Sequence, residues 1–165
     1  MIKNFDEFLN ESSNNDIETY IEQNRATTFL EDGLFNPTIN TDGTINVDGV
    51  RFQNENWKEF PKFIKFKECK GDFIIKNCAL TKLNGPVKVD GKVEISDSDI
   101  VSLENGPISV MGDFYVYKNR KLNNIKGFPK EIDGNIDFGD NGKSFTKEEI
   151  LKICKINDKK KIRVD

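Results

Sequence analysis

The sequence predicts a mainly-β chain: a short solenoid of about four stacked units, with an N-terminal helical segment and a C-terminal capping helix. Three observations predict it. Prolines and glycines recur together, in Pro86-Val87-Lys88-Val89-Asp90-Gly91, Pro107-Ile108-Ser109-Val110-Met111-Gly112 and Pro129-Lys130-Glu131-Ile132-Asp133-Gly134, with both residues spaced 21 and 22 apart. After each glycine, apolar residues alternate: Phe73 and Ile75, Val93 and Ile95, Phe114 and Val116, Ile136 and Phe138. An apolar pair three apart follows, as Leu80 and Leu83, Ile100 and Leu103, Leu122 and Ile125. A fixed period of this length is the mark of a repeat architecture.

Each part of the unit has a physical reading. Alternation after glycine is the pattern of a short strand with one buried face. Glycine offers a backbone conformation closed to other residues, so it is expected to turn the corner. Proline fixes φ where a strand stops. One unit cannot bury its own apolar residues, so Phe73, Val93, Phe114 and Ile136 are expected to form one continuous row through the stack.

The ends of the array differ from its middle. Gly49-Val50-Arg51-Phe52 begins a degenerate first unit, in which Trp57 and Phe60 hold the positions of the leucine pair. Five extra residues separate Pro61 from Gly71, and the enlarged aromatics suit a cap. Asn36-Pro37 to Asp42-Gly43 reads as turns entering the array. Asn141-Gly142 is a turn leaving it. Thr146 stands three before Glu149 as a capping box, so residues 147–155 read as a helix with Ile150, Leu151, Ile153 and Cys154 on its apolar face. Residues 16–24, with Ile17, Tyr20 and Ile21 at helical spacing, suggest a helix before the array. The expected divisions are an acidic helical segment at 1–33, the array at 34–142, and a capping helix with a basic tail at 143–165.

Charge and composition narrow the function. The chain has 165 residues, a net charge of −3 and 36% hydrophobic residues, enough for one domain with a modest core. Residues 1–32 carry a net −6 and residues 140–165 a net +3. Nucleic-acid binding needs a basic face on the folded body, and this distribution does not predict one. The Lys159-Lys160-Lys161-Ile162-Arg163 run reads as a solvated end. No apolar run approaches the roughly 18 residues of a membrane span, and the start of the chain lacks the pattern of a signal peptide. A cytoplasmic location is expected. Cys69, Cys78 and Cys154 show no paired spacing and are expected as reduced thiols.

The chain contains no histidine. This removes Ser–His and Cys–His nucleophile pairs, histidine-based metal sites and the commonest general base. Three scattered cysteines do not make a four-ligand zinc site. Gly142-Lys143-Ser144 lacks the preceding glycine of a phosphate loop. Asp97 with Asp99, and Asp137 with Asp140, could pair for calcium or acid–base work. Their place in turns accounts for them through local hydrogen bonding. No catalytic residue, cofactor or metal is expected, and no small-molecule substrate.

The remaining candidate is the outward face of the strands. Residues between the apolar columns line up as Ile74, Glu94, Tyr115 and Asp137 in one row, and Lys76, Ser96, Tyr117 and Gly139 in the next. Ile74, Tyr115 and Tyr117 are apolar or aromatic yet expected to face water. Tyrosine supplies contact area at low entropy cost and is enriched at interfaces. The alternative role is cross-strand packing alone. The expected protein-binding residues are Tyr115, Tyr117, Glu94, Ile74, Lys76 and Asp137.

These units resemble the degenerate leucine-rich-repeat-like proteins of large tailed bacteriophages and their hosts. The residues that carry the resemblance are the Leu-x-x-Leu, Gly-Pro-x-x-Val-x-Gly and strand pattern above, with Ser144-Phe145-Thr146-Lys147-Glu148-Glu149-Ile150 closing the array. It covers about two-thirds of the chain. Many such units place Cys-Ser-x-Asn after the strand; here Lys76-Asn77-Cys78, Ser96-Asp97-Ser98 and Lys118-Asn119-Arg120 stand there, so the asparagine ladder is incomplete. Met1-Ile2-Lys3-Asn4-Phe5-Asp6-Glu7-Phe8-Leu9-Asn10-Glu11 is similar to the capsid-targeting leader of internal head proteins in T4-type phages, which is cut after Leu-x-Glu. An amphipathic helix presenting Phe5, Phe8 and Leu9 is the other reading. The resemblance implies a non-enzymatic phage protein that binds a host protein in the host cytoplasm, as a host-takeover or anti-defence inhibitor. The leader implies the alternative, a packaged or structural virion protein.

Overall fold

The computed structural model describes residues 31, 33–61, 64–156 and 160–164. The leader-like start and the helix expected at 16–24 lie outside the described residues. The array itself is a β-solenoid of about five turns, built from two seven-stranded sheets.

Sheet A holds the alternating segments that follow glycine. In order across the sheet these are β1 (Leu34–Phe35), β4 (Gly49–Gln53), β6 (Phe73–Lys76), β8 (Val93–Ser96), β10 (Phe114–Tyr117), β12 (Ile136–Asp137) and β14 (Ile162–Arg163). From β4 onward the strands are parallel and in register, with Val50, Phe73, Val93, Phe114, Ile136 and Ile162 in one column. The expected apolar row is therefore present and longer by one coil at each end. Phe73, Val93 and Phe114 are buried in it.

Sheet B was not anticipated. It runs β2 (Thr38–Ile39), β3 (Ile45–Val47), β5 (Phe66–Cys69), β7 (Lys88–Val89), β9 (Ser109–Val110), β11 (Glu131–Ile132) and β13 (Lys155–Ile156). These are the segments before the glycines. Their inward column is Val47, Cys69, Val89, Val110, Ile132 and Ile156. The coils of β5, β7, β9 and β11 share one local irregularity. Pro86, Pro107 and Pro129 point inward and are buried, as is Phe66 in the same column of the earlier coil. Two outward residues follow before the next inward one, and the amides of Ile108 and Ser109 both reach the Val87 carbonyl, at 2.9 and 3.3 Å. That shared acceptor is the signature of a bulge. The prolines thus fill core positions at the start of a strand, where no ladder amide is needed.

The column glycines act by size and not by φ. None of Gly71, Gly91, Gly112 and Gly134 lies at positive φ. They mark the corner between the sheets, where the amides of Gly91, Gly112 and Gly134 each donate to the glycine carbonyl one coil back, all at 3.1 Å. A Cβ on Gly112 would sit 2.5 Å from the Gly91 carbonyl oxygen and 2.8 Å from the Lys92 nitrogen. No side chain fits. Positive φ occurs instead in the turns after β1, β4, β6, β8, β10 and β12, at Asn36, Asn54, Asn77, Asp97, Lys118 and Asp140.

The third side of the coil carries the leucine pairs. Leu80, Leu83, Ile100, Leu103 and Leu122 are buried there, with Ile125 packed against them. The expected aromatic cap is observed: Phe52, Trp57, Phe60 and Phe66 form a chain of ring contacts at 5.1–6.2 Å. Beyond it, β1 and β2 pair antiparallel with β4 and β3, which ends the parallel stack with an antiparallel strand on each sheet. Strands therefore occupy part of the segment expected to hold only entering turns.

The C-terminal segment differs from expectation. The capping box of Thr146 and Glu149 is formed, but the helix, α1 (Lys147–Leu151), spans five residues and not 147–155. Ile150 is buried, while Leu151 and Ile153 are exposed. The chain then returns as β13 and β14, which add a further strand to each sheet, so the array passes its expected end at 142. Ile162 and Arg163, expected in a solvated tail, are ladder residues, because Ile162 and Val164 continue the apolar alternation of the sheet A strands.

Two substitutions test this architecture by denaturant unfolding. Gly112→Ala is expected to destabilise the chain by at least about 2 kcal/mol, since neither backbone can retreat. Lys118→Asn is expected to stabilise it by about 0.5–1 kcal/mol, because asparagine tolerates the left-handed conformation better. A neutral Gly112→Ala, or a destabilising Lys118→Asn, would contradict the placement of the two columns.

Candidate functional site

The outer face of sheet A brings all six expected binding residues together. Register aligns Ile74, Glu94, Tyr115 and Asp137 across β6, β8, β10 and β12, and extends the row to Arg51 and Arg163 at its ends. Lys76, Ser96 and Tyr117 form the parallel row, two residues further along each strand. Alternation places these side chains outward, opposite the buried Phe114 and Val116.

Outward direction does not make every one of them exposed. Ile74 is 4% exposed and Glu94 is 6% exposed, against the expectation that Ile74 faces water. Tyr115, Tyr117, Lys76 and Asp137 are half-buried. Ile74 also lines a shallow cleft with Phe35, Arg51 and Asp72, at the end of the face nearest the cap.

Glu94 is the electrostatic centre. One carboxylate oxygen accepts from Lys76 Nζ at 2.6 Å and from the Tyr117 hydroxyl at 3.1 Å; the other accepts from Lys92 Nζ at 3.1 Å. Burial pushes its pKa up, but the hydrogen bonds from Lys76, Lys92 and Tyr117 outweigh this and hold it below the ordinary value. Lys76 is raised in return, chiefly by its hydrogen bond to Glu94. Tyr115 donates to Asp113 Oδ2 at 2.6 Å. That bond, with burial second, raises the Tyr115 hydroxyl to about 12. Asp137 pairs with Arg163 at 3.1 Å. The acidic side chains of this face are thus engaged by cations or hydroxyls of the same chain.

Lys92 and Asp113 were missed because they stand at the corner, one residue before the strand, where alternation carries no signal. Arg51 could have been found by extending the row to the degenerate first unit. Arg163 carries no such signal, because its strand is two residues long and follows a run of lysines.

Beneath this face runs a polar column inside the coil. Cys78, Ser98 and Asn119 each stand two residues beyond a sheet A strand, and Asn141 stands four beyond β12. Asn119 is buried, and its Oδ1 accepts from the Ser98 amide at 3.0 Å while its Nδ2 donates to the carbonyls of Ile95 and Tyr117 at 2.9 and 3.1 Å. Asn141 Oδ1 accepts from the Asn119 amide, and the Ser98 hydroxyl accepts from the Cys78 amide, each at 3.1 Å. The ladder is complete in hydrogen bonding although only two of its members are asparagine. Asp97 and Asp140 occupy the positive-φ turns beside it.

Cys69, Cys78 and Cys154 are buried thiols. Burial raises all three pKa values, to about 11 for Cys69 and Cys154, so none is a ready nucleophile at neutral pH. Among the described residues no three His, Cys, Asp or Glu side chains converge to hold a metal ion, and no helix is long and apolar enough to cross a membrane.

No protein-family model, no curated protein and no solved structure matches the chain. The class that the geometry defines is a two-sheet β-solenoid.

The Glu94 network predicts a pH dependence. A carboxylate with a depressed pKa in the folded state contributes stability that is present above its unfolded value, 4.5, and is lost as pH falls through the folded one. The stability gap between wild type and Glu94→Gln is therefore expected to be largest near neutral pH and to shrink below about pH 4. A gap that stays constant with pH in urea melts would contradict the network.

Proposed function

We propose that this chain is a non-enzymatic binding protein of the leucine-rich-repeat-like kind found in large tailed phages, and that it engages a host protein through the outer face of sheet A. Such binding would serve host takeover or the inhibition of a defence system. The observation that carries the reading is the pair Tyr115 and Tyr117. They lie two residues apart on β10, point the same way, and have their hydroxyls held by Asp113 and Glu94. Rings fixed before contact lose little entropy on binding, and aromatic side chains of this kind dominate interface energies.

The roles of the six candidate residues then divide. Tyr115 and Tyr117 supply the contact area, and the solvent-facing parts of Lys76 and Asp137 form the rim. Glu94 positions Tyr117 and Lys76 from beneath. Ile74 packs at the margin of the face.

Co-purification from host extract identifies the partner, and calorimetric titration tests the face. The double change Tyr115→Ala with Tyr117→Ala is expected to weaken binding by at least ~2 kcal/mol with the fold retained. Tyr115→Phe with Tyr117→Phe is expected to keep most of the affinity, because the hydroxyls already serve this chain. Full affinity in the folded alanine variant would exclude the sheet A face.

The leader-like Leu9-Asn10-Glu11 supports a second reading, a packaged or structural virion protein. Mass spectrometry of purified particles separates the two: peptides beginning at Ser12 favour the virion reading, and absence from particles favours the host-directed one.

A further inference from the structure

The outer face of sheet B carries a charge pattern of its own. The four coils of β5, β7, β9 and β11 each have two adjacent outward residues there, and these stack into two rows. The row nearer the leucine side reads Lys67, Val87, Ile108, Lys130. The second reads Glu68, Lys88, Ser109, Glu131, Lys155, set by the register of β5, β7, β9, β11 and β13. Met111 lies two residues beyond Ser109 on the same coil. Val87, Ile108 and Met111 are 50%, 48% and 45% exposed, large values for apolar side chains at the centre of a solenoid.

The second row is antisymmetric about Ser109. Lys88 on one side faces Glu131 on the other, and Glu68 matches Lys155. A two-fold axis lying over β9, along the strand direction, would set two copies face to face with coil order reversed. Under that operation Lys88 meets the second copy's Glu131, and Glu68 meets its Lys155, so four oppositely charged contacts form; they outnumber the two like-charge contacts of Asp90 with the second copy's Asp133 in the row of Met111. Ile108, Ser109 and Met111 meet their own counterparts on the axis, and Lys130 lies across Val87, where its apolar stem can cover it. An axis along the solenoid would instead set every charge against itself. Sheets pack about 10 Å apart, a distance that these long side chains bridge.

We propose that the outer face of sheet B is a self-association surface, and that its occupant is a second copy of this chain in an isologous dimer about β9. Isologous contact requires a surface complementary to itself under rotation. A row whose charges change sign across its centre meets that requirement, and Ser109 puts an uncharged residue on the axis, where each residue meets its own copy. The existing pairs within the chain, Lys88 with Asp90 at 2.6 Å and Lys155 with Glu131 at 3.5 Å, are solvent-exposed and are held weakly enough to be shared across the interface. The patch is small, so the dimer is a weak one, and it leaves the sheet A face open.

Sedimentation equilibrium of the full chain over roughly 5–500 µM covers the range in which so small an interface dissociates. The wild type is expected to shift from monomer to dimer, and added salt to oppose the shift. Lys88→Glu alone and Glu131→Lys alone should each weaken association at least ~10-fold by placing like charges together. The double variant Lys88→Glu with Glu131→Lys restores opposite charges and should recover the dimer. Melting curves by circular dichroism confirm that each variant is folded. A chain that stays monomeric throughout overturns the proposal. So does a dimer that ignores the single reversals, or one that the double reversal fails to rescue. These outcomes are independent of the Tyr115 and Tyr117 test, which reads a different face.

Discussion

Everything in this molecule depends on how closely one coil can lie on the next. At the corner between the sheets the contact is backbone on backbone, and Gly91, Gly112 and Gly134 each donate to the glycine one coil back. A Cβ there would meet the neighbouring peptide. With the corner closed to this spacing, the strands on both sides take one register, and the apolar columns of both sheets meet in a single core. The buried amide of Asn119 performs the same task at the opposite end of the sheet A strands, where it joins three successive coils. An unpaired polar group in that position would be costly, and here each one is satisfied.

Fixed register also decides what each face can offer. On sheet A it brings Glu94 between Lys76 and Lys92 and under Tyr117, so a buried carboxylate is neutralised from three directions. That face is settled internally and presents ordered rings. On sheet B the doubled outward residues leave charges in the open, in a sequence that alternates along the solenoid axis. One scaffold thus carries a preorganised aromatic surface and a self-complementary charged one.

The parts that sequence reasoning found are those where one residue type has one dominant physical reason. Alternation located every central strand of sheet A, the aromatics Trp57 and Phe60 located the cap, and Thr146 with Glu149 located the start of α1. The second sheet escaped because its ladder segments are mostly two residues long, too short for alternation to register. The bulge hides them further by putting two outward residues side by side. Glycine was recognised for the right place and the wrong reason, since conformational freedom and absence of bulk leave the same mark in a sequence. For the site, the rows of outward residues follow from register alone. Their burial does not: Ile74 and Glu94 point outward and still lose contact with water. Nor does alternation show a contact made from the corner, as Lys92 and Asp113 make.

Hydrogen exchange of individual amides, followed by NMR, reads the coil-to-coil contact directly. If the glycine corner is the joint between two stacked sheets, the amides of Gly91, Gly112 and Asn119 exchange as slowly as those of Phe114 and Val116, all through one global opening. If the chain were a single sheet with loops on its far side, Gly91 and Gly112 would exchange rapidly while the sheet A strands stayed protected. That result would contradict the two-sheet solenoid and the faces derived from it.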